Sequence, residues 1–202
     1  MSNRRYFLDG LYSNSAVLES ILNSDTVEFS IRENLDVLLD IVPEIKPMIG
    51  FDHKHPHHHL DVWEHTLLAL SYAPMDYDVR LTLLLHDIGK PHTAVSDGAV
   101  NHYPEHGAVS ASIARTILTR LNYPEQYVNN ICTMVEMHDI GITQEDLTTN
   151  LELSKKLFEV QKCDIFAHNP EKNENRYRYL AKAENAIRKY EMSLGQEMRD
   201  DD

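Results

Sequence analysis

Cysteine is nearly missing from this chain: Cys132 and Cys163 are the 2 in 202 residues. That excludes a disulfide framework, and the two thiols read as buried and reduced, as in a protein of the cytoplasm. Basic residues are also scarce, with 19 Lys and Arg against 32 Asp and Glu and a formal net charge of −13. Indiscriminate binding to a nucleic-acid backbone needs a basic surface, so this balance argues against it. A small phosphorylated substrate stays open, because a metal can supply positive charge locally. No apolar run reaches the roughly 20 residues of a membrane span, and the opening MSNRRYFLDG has no secretory apolar core. Also missing are a glycine-rich phosphate loop, convincing strand alternation, an internal repeat and any linker-like stretch. Hydrophobic content of 42% and charged content of 25% are ordinary for a globular chain, and the length fits one domain.

What is present is helical spacing. Val17, Leu18, Ile21 and Leu22, then Ile31, Leu35, Leu38 and Leu39, predict one broken helix or two short ones over 15–40, after a loose lead-in and ended by Pro43 and Pro47. Asp61 with Glu64 reads as a capping box that opens a helix to about Ala73. A Leu-rich helix over 78–87 follows, with Gly89 and Pro91 as its stop. Residues 91–105 read as a loop with a short hairpin at Asp97-Gly98. Further helices are expected over 106–121, from Pro124 to His138, from Thr143 to Leu147, and over 151–167. The last, 174–190, is charged, with an apolar stripe of Tyr177, Leu180, Ala181 and Ile187, before a frayed acidic tail. The chain is nearly all-α.

Histidine is the anomaly, at 12 residues, of which five fall in HKHPHHH from His53 to His59. His86 and Asp87 end the Leu-rich run, where an ionised carboxylate is costly unless something pairs with it. A metal cation would serve. His65 and Asp164 lie on flanking helices, and a helical bundle can bring such residues together. Two imidazoles and two carboxylates suit Fe, Mn, Co, Ni or Zn better than Ca or Mg. His106 and His138, with Asp87 bridging, would hold a second ion, and a metal pair about 3.5–4 Å apart clamps a phosphate and activates water. His102, close to His106, competes for that place. Each residue alone has an ordinary reading: His65 as a satisfied buried histidine, Asp164 as a surface acid, His106 and His138 as helix-end residues. The joint pattern is what points to chemistry.

These segments resemble a known superfamily. HDIGK at 86–90 resembles the signature of the HD-domain metal-dependent phosphohydrolases, DVWEHTLLAL at 61–70 its first-histidine helix, and CDIFAHNP at 163–170 its last-aspartate helix. NHYPEHGAVSASIARTIL, 101–118, is similar to the segment after HDIGKP in HD domains attached to bacterial tRNA nucleotidyltransferases. The first 50 residues show no counterpart of the nucleotidyltransferase head, so the expectation is a stand-alone HD protein to which tRNA end-repair is not carried over. The resemblance implies an all-α HD-domain bundle with a metal site at its centre. The expected division is a helical extension over 1–50, the HD core over 51–170, and a charged helix and acidic tail over 171–202 packed on the same domain. The implied activity is metal-dependent hydrolysis of a phosphate ester of a small nucleotide, as phosphomonoesterase or cyclic phosphodiesterase. The implied ligands are His65, His86, Asp87 and Asp164 for one metal, and Asp87, His106 and His138 for two. Asp87 and Lys90 are the expected catalytic residues, and Lys90, Arg115 and His102 the expected substrate contacts. His57, His58 and His59 are expected to form a rim over the site. A metal-bearing nucleotide-binding or sensor module with little turnover is the alternative.

Overall fold

The computed structural model describes residues 13–200, and side chains as far as residue 196. The start of the expected lead-in and the last residues of the acidic tail lie outside the described residues.

The chain is all-α, with 11 α-helices among the described residues. The opening region forms α1 (Asn14–Leu22), α2 (Val27–Glu33), α3 (Leu35–Ile41) and a 3-10 turn over Pro43–Met48. Three helices thus replace the one or two expected. Ser13 caps α1 through its side chain, and Asn34 interrupts the run by closing α2 and opening α3. Val17, Leu18, Ile21, Leu22, Ile31 and Leu38 are buried as the spacing required.

Next come α4 (Val62–Ser71), α5 (Tyr77–Leu85) and the short α6 (Lys90–Thr93). Every residue of α5 from Val79 to Leu85 is buried, so this helix runs through the core rather than along its surface. The hairpin expected at Asp97-Gly98 is present as β1 (Val95–Ser96) and β2 (Asn101–His102), with Gly98 at φ 97°. Then follow α7 (His106–Arg120), α8 (Glu125–Glu136), α9 (Gln144–Thr149), α10 (Leu151–Ala167), a 3-10 turn over Pro170–Lys172, and α11 (Glu174–Asp200).

Helix α10 packs on α4, α5, α8 and α11, and α7 pairs closely with α8. A second apolar cluster, Leu147, Phe158, Ile165, Leu180, Ala183 and Ile187, lies between α11 and the elements beneath it. The buried stripe of α11 therefore uses Ala183. Ala181 faces solvent, and Tyr177 is exposed.

Two local expectations need correction. Asp61 does cap α4, accepting from Glu64 N at 2.9 Å, but the Glu64 side chain does not return to close a capping box. It pairs instead with Arg32, at 3.0 and 2.6 Å, and Arg32 also holds Glu28. A guanidinium offering two donors outcompetes one backbone N–H. The Arg32 hydrogen bonds hold the Glu64 carboxyl below its ordinary value. A carboxyl lowered by folding stabilises above its unfolded pKa and loses that contribution as pH falls through the lowered value. Glu64→Gln is thus expected to cost under about 1 kcal/mol at pH 7, since the pair is partly exposed. Urea midpoints of wild type and variant should differ at neutral pH and converge as pH falls through the lowered Glu64 value.

Gly89 is the second correction. Helix α5 ends at Leu85, before Gly89, and Pro91 sits in the first turn of α6. Gly89 has φ −80°, which any residue adopts. Its reason is space: a Cβ there would stand 2.7 Å from both His106 O and Ser110 N. The missing side chain lets α7 lie on the turn over residues 86–89, and Gly89 N donates to Ser110 Oγ at 2.9 Å. Gly107 does the same between α7 and α8, where a Cβ would meet Glu136 O at 2.6 Å.

Candidate metal centre

His65 lies one turn into α4, its amide donating to Asp61 O. His86 and Asp87 lie in the turn between α5 and α6. His106 opens α7 directly after Glu105, whose φ of 56° is left-handed and strained for a non-glycine residue. His138 follows the end of α8, and Asp164 lies near the end of α10. Six side chains from five separated segments thus meet at one point, and Asp87 is its centre.

The two oxygens of Asp87 face different neighbours. Oδ2 lies 3.3 Å from His86 Nε2, 3.8 Å from His65 Nε2 and 2.7 Å from Lys90 Nζ. Oδ1 lies 3.6 Å from both His106 Nε2 and His138 Nε2. Asp164 Oδ1 completes the first group, 2.8 Å from His65 Nε2 and 3.5 Å from His86 Nε2. His86 and Asp87 have no exposed surface.

The backbone decides which histidine nitrogen points inward. Nδ1 of His65 faces Ala167 O at 3.3 Å, that of His86 faces Leu83 O at 2.7 Å, that of His106 faces Tyr103 O at 3.0 Å, and that of His138 faces Val135 O at 2.7 Å. A carbonyl only accepts, so each Nδ1 carries the proton and donates. In the neutral ring Nε2 is then a lone pair, and all four lone pairs point at carboxylate oxygens or at one another. His106 Nε2 and His138 Nε2 face each other at 3.2 Å. His86 Nε2 and both Asp87 oxygens are buried without a hydrogen-bond partner; Lys90 is an ion-pair neighbour outside hydrogen-bond alignment. Such a ring of acceptors is costly in a dry core unless a cation sits among them. Histidines oriented by backbone carbonyls through the far nitrogen are also the ordinary arrangement of metal-binding imidazoles. Three ligand sets close enough to hold a metal ion occur here: His65, His86 and Asp87; Asp87, His106 and His138; and His65, Asp164 and His168.

The electrostatics agree. Burial raises the Asp87 carboxyl, but His86 and Lys90 outweigh it and hold it well below the usual carboxylate range. Asp164 is likewise raised by burial and drawn well below that range by His168, His65 and His86. Burial lowers the His86 imidazole, and Asp87 and Asp164 reverse this, pushing it up to about 10. The carboxylates therefore demand positive charge at this point, which a divalent metal provides without a proton.

A cavity of about 510 Å³ opens onto the cluster, lined in part by Lys90, His102, Tyr103, His106, His138 and Asp164. His102 is at its mouth, exposed and paired with Asp97 at 3.3 Å. Arg115 is not brought there: it is exposed on α7 and does not line the cavity. The spacing put it on the helix of His106 but not on the same face.

Two residues of the site, His53 and His168, were not singled out individually by the sequence, and His58 was expected only at its rim. His53 is buried, donates from Nδ1 to Leu60 O, and presents Nε2 to Lys90 Nζ at 3.4 Å and to Asp87 Oδ2 at 4.0 Å. His58 stacks on His53 at 3.7 Å and lines the cavity, and His168 lines it too. The histidine run is therefore packed into the site rather than only rimming it, while His59 alone of the three expected rim residues is exposed. Without periodicity, the run offered no signal to rank its members. His168 had one, its place four residues after Asp164 on the same helix face.

Known proteins share this chain's sequence pattern. The HD domain family model matches residues 57–186. The CC-adding tRNA nucleotidyltransferase of Thermus thermophilus is 34% identical over 139 residues, covering 63% of this chain and 31% of the relative. The A-adding tRNA nucleotidyltransferase of Deinococcus radiodurans is 34% identical over 117 residues, 54% of this chain and 27% of the relative. The multifunctional CCA protein of Legionella pneumophila (strain Paris) is 29% identical over 123 residues, 57% of this chain and 28% of the relative. The chain thus spans less than a third of the length of these relatives. Two of them are named for tRNA, so the charge-based expectation against nucleic acid gains no support. Among the described residues no helix is long and apolar enough to cross a membrane. With the family match covering more than half of its length and a buried His/Asp cluster able to hold metal, the chain belongs to the HD domain family, within the metal-dependent phosphohydrolase superfamily.

Proposed function

We propose that the protein hydrolyses a phosphate ester of a small nucleotide, as a phosphomonoesterase or a cyclic-nucleotide or 2′,3′-cyclic phosphodiesterase. The observation that carries this reading is the Asp87 carboxylate, buried between two pairs of inward-facing histidines with no hydrogen-bond partner on either oxygen and Lys90 as an ion-pair neighbour of Oδ2. His65, His86, Asp87 and Asp164 would hold one divalent transition ion, and Asp87, His106 and His138 a second. Bound there, the metal supplies Lewis acidity that activates water and offsets charge on the phosphoryl oxygens.

The remaining work falls to the chain. Asp87, kept ionised by His86 and Lys90, is shared between the two ligand groups. Lys90 is held by Asp87 on one side and by His53 Nε2 on the other, so its ammonium has a defined place at the cavity floor. There it stabilises negative charge that develops on a phosphoryl oxygen, beside the fully buried Asp87. His102 at the mouth contacts the outer part of the substrate. Arg115, outside the cavity, takes no part.

The experiment is a metal-supplemented nucleotide panel, scored by phosphate release and product identification, with Asp87→Ala as control. Full activity without Asp87 overturns the reading. Metal without turnover on a broad panel favours a sensor module. Chelation gives an independent check. Removing the cation leaves the facing acceptors uncompensated, so the melting temperature is expected to fall by more than about 5 °C with EDTA and to recover on adding Mn or Fe.

A further inference from the structure

Lys90 and Arg176 are the only Lys or Arg side chains lining the cavity among the described residues. They are not equivalent. Lys90 Nζ lies 2.7 Å from Asp87 Oδ2, so its charge is shared with that carboxylate at the metal-cluster end of the cavity. Arg176, half-buried in the first turns of α11, has no carboxylate within ion-pair distance among the described residues. Its hydrogen-bond partner is neutral: Nη1 donates to His57 Nδ1 at 3.2 Å. That contact leaves the positive charge of the guanidinium uncompensated and leaves most of its donors unused. In a chain with 32 acidic and 19 basic residues, an arginine at a cavity wall without an acid beside it is conspicuous.

The surroundings keep it so. His57 and His55 nearby are lowered, by burial first and then by neighbouring positive charge, so they add hydrogen-bonding capacity without competing charge. The acids of the cavity, Asp164 and Asp139, lie toward the metal cluster, where Asp164 Oδ1 is 2.8 Å from His65 Nε2 and Asp139 lies 3.8 Å from His106 Nε2. A volume of about 510 Å³ is that of a site for a nucleotide-sized molecule rather than for one phosphate. We propose that Arg176 is an anion-binding residue on the outer wall of this cavity, selecting substrates that carry a second phosphate beyond the one being cleaved. This deepens the phosphohydrolase reading and rests on it for the word substrate, though the anion site itself can be tested without turnover. The class implied is a nucleoside di- or polyphosphate, or a nucleotide phosphorylated at two positions. Arginine suits it, because its planar fork takes two oxygens of one phosphate.

The test is calorimetric binding of methylenediphosphonate, a pyrophosphate analogue that hydrolysis does not consume, and of orthophosphate. Both are titrated into the protein as purified, its metal content measured before and after. The preference of wild type for the diphosphonate is expected to fall about tenfold or more in Arg176→Gln, with Arg176→Lys intermediate. His57→Ala separates charge from scaffolding: it removes the tether, keeps the guanidinium, and is expected to hold the preference within about threefold. An unchanged preference in Arg176→Gln overturns the proposal. So does an equal collapse in His57→Ala, which would make Arg176 a mere clasp of the histidine loop. In turnover, Arg176→Gln should raise KM for nucleoside diphosphates more than for monophosphates while kcat moves little. Loss of the hydrolase reading would show elsewhere, as activity surviving Asp87→Ala, whatever Arg176→Gln does.

Discussion

Asp87→Ala is expected to release bound metal and to lower phosphate-ester hydrolysis by about 10³-fold or more. Among the described residues no other side chain in the site faces both ligand groups: Oδ2 meets His65 and His86, and Oδ1 meets His106 and His138. Its loss therefore dismantles both sets at once, whereas His106→Ala would disturb one. The substitution also strands Lys90, which is 6% exposed and would lose its ion-pair partner at 2.7 Å. Breaking a buried pair by removing one member costs about 3–5 kcal/mol, a large part of the stability of an ordinary domain. A fall in activity alone could then reflect unfolding. Asp87→Ala with Lys90→Met removes both charges, and is expected to recover most of the urea stability while remaining inactive and metal-poor. Metal analysis, denaturation and the nucleotide assay on the three proteins check this. Recovery of activity in the double variant would sink the proposed role of Asp87.

Gly89→Ala should be the second large effect, and its cause is purely geometric. The new methyl group would lie 2.7 Å from His106 O and Ser110 N and 2.8 Å from Ser110 Oγ. Two of these atoms belong to the backbone of α7, so a rotamer change cannot relieve the clash. Either α7 moves away from the turn or the turn shifts, and the bond from Gly89 N to Ser110 Oγ is lost with it. Overpacking of this kind costs about 1–3 kcal/mol, and here the unpaired buried N–H adds about 1–3 more. The displacement also carries His106, the first residue of α7, away from Asp87 Oδ1. Urea denaturation should show the loss of stability, and metal analysis a fall of about one ion per chain at the second ligand set. Wild-type stability in Gly89→Ala would mean that the close approach of α7 is not required.

Most of the helical architecture could be read from residue spacing alone, because a 3.6-residue period records which face is buried. Helix α10 runs from Leu151 to Ala167 as the spacing predicts, and the hairpin was marked by Asp97-Gly98. Failures fell where several local arrangements were equally good. The Glu64 carboxylate had a local backbone N–H and a distant guanidinium to choose from, and nothing near it in sequence announced Arg32. Gly89 looked like a helix stop because glycine often is one, while its contact, Ser110, lies on another helix.

The candidate site divides along the same line. Ligand types were legible in the residues themselves: a His-Asp pair closing a Leu-rich run cannot be left bare in an apolar core, so His86 and Asp87 declared themselves. Their neighbours His65, His106, His138 and Asp164 followed as histidines and an acid on helices able to converge. Convergence itself is a property of packing. Only the tertiary structure put His53 behind Lys90, drew His58 and His168 into the wall, placed Arg176 at the cavity, and left Arg115 outside it. A helix period tells which way a side chain faces relative to its own axis. It does not tell what stands opposite, and the groups that back the ligands and line the cavity are what stands opposite.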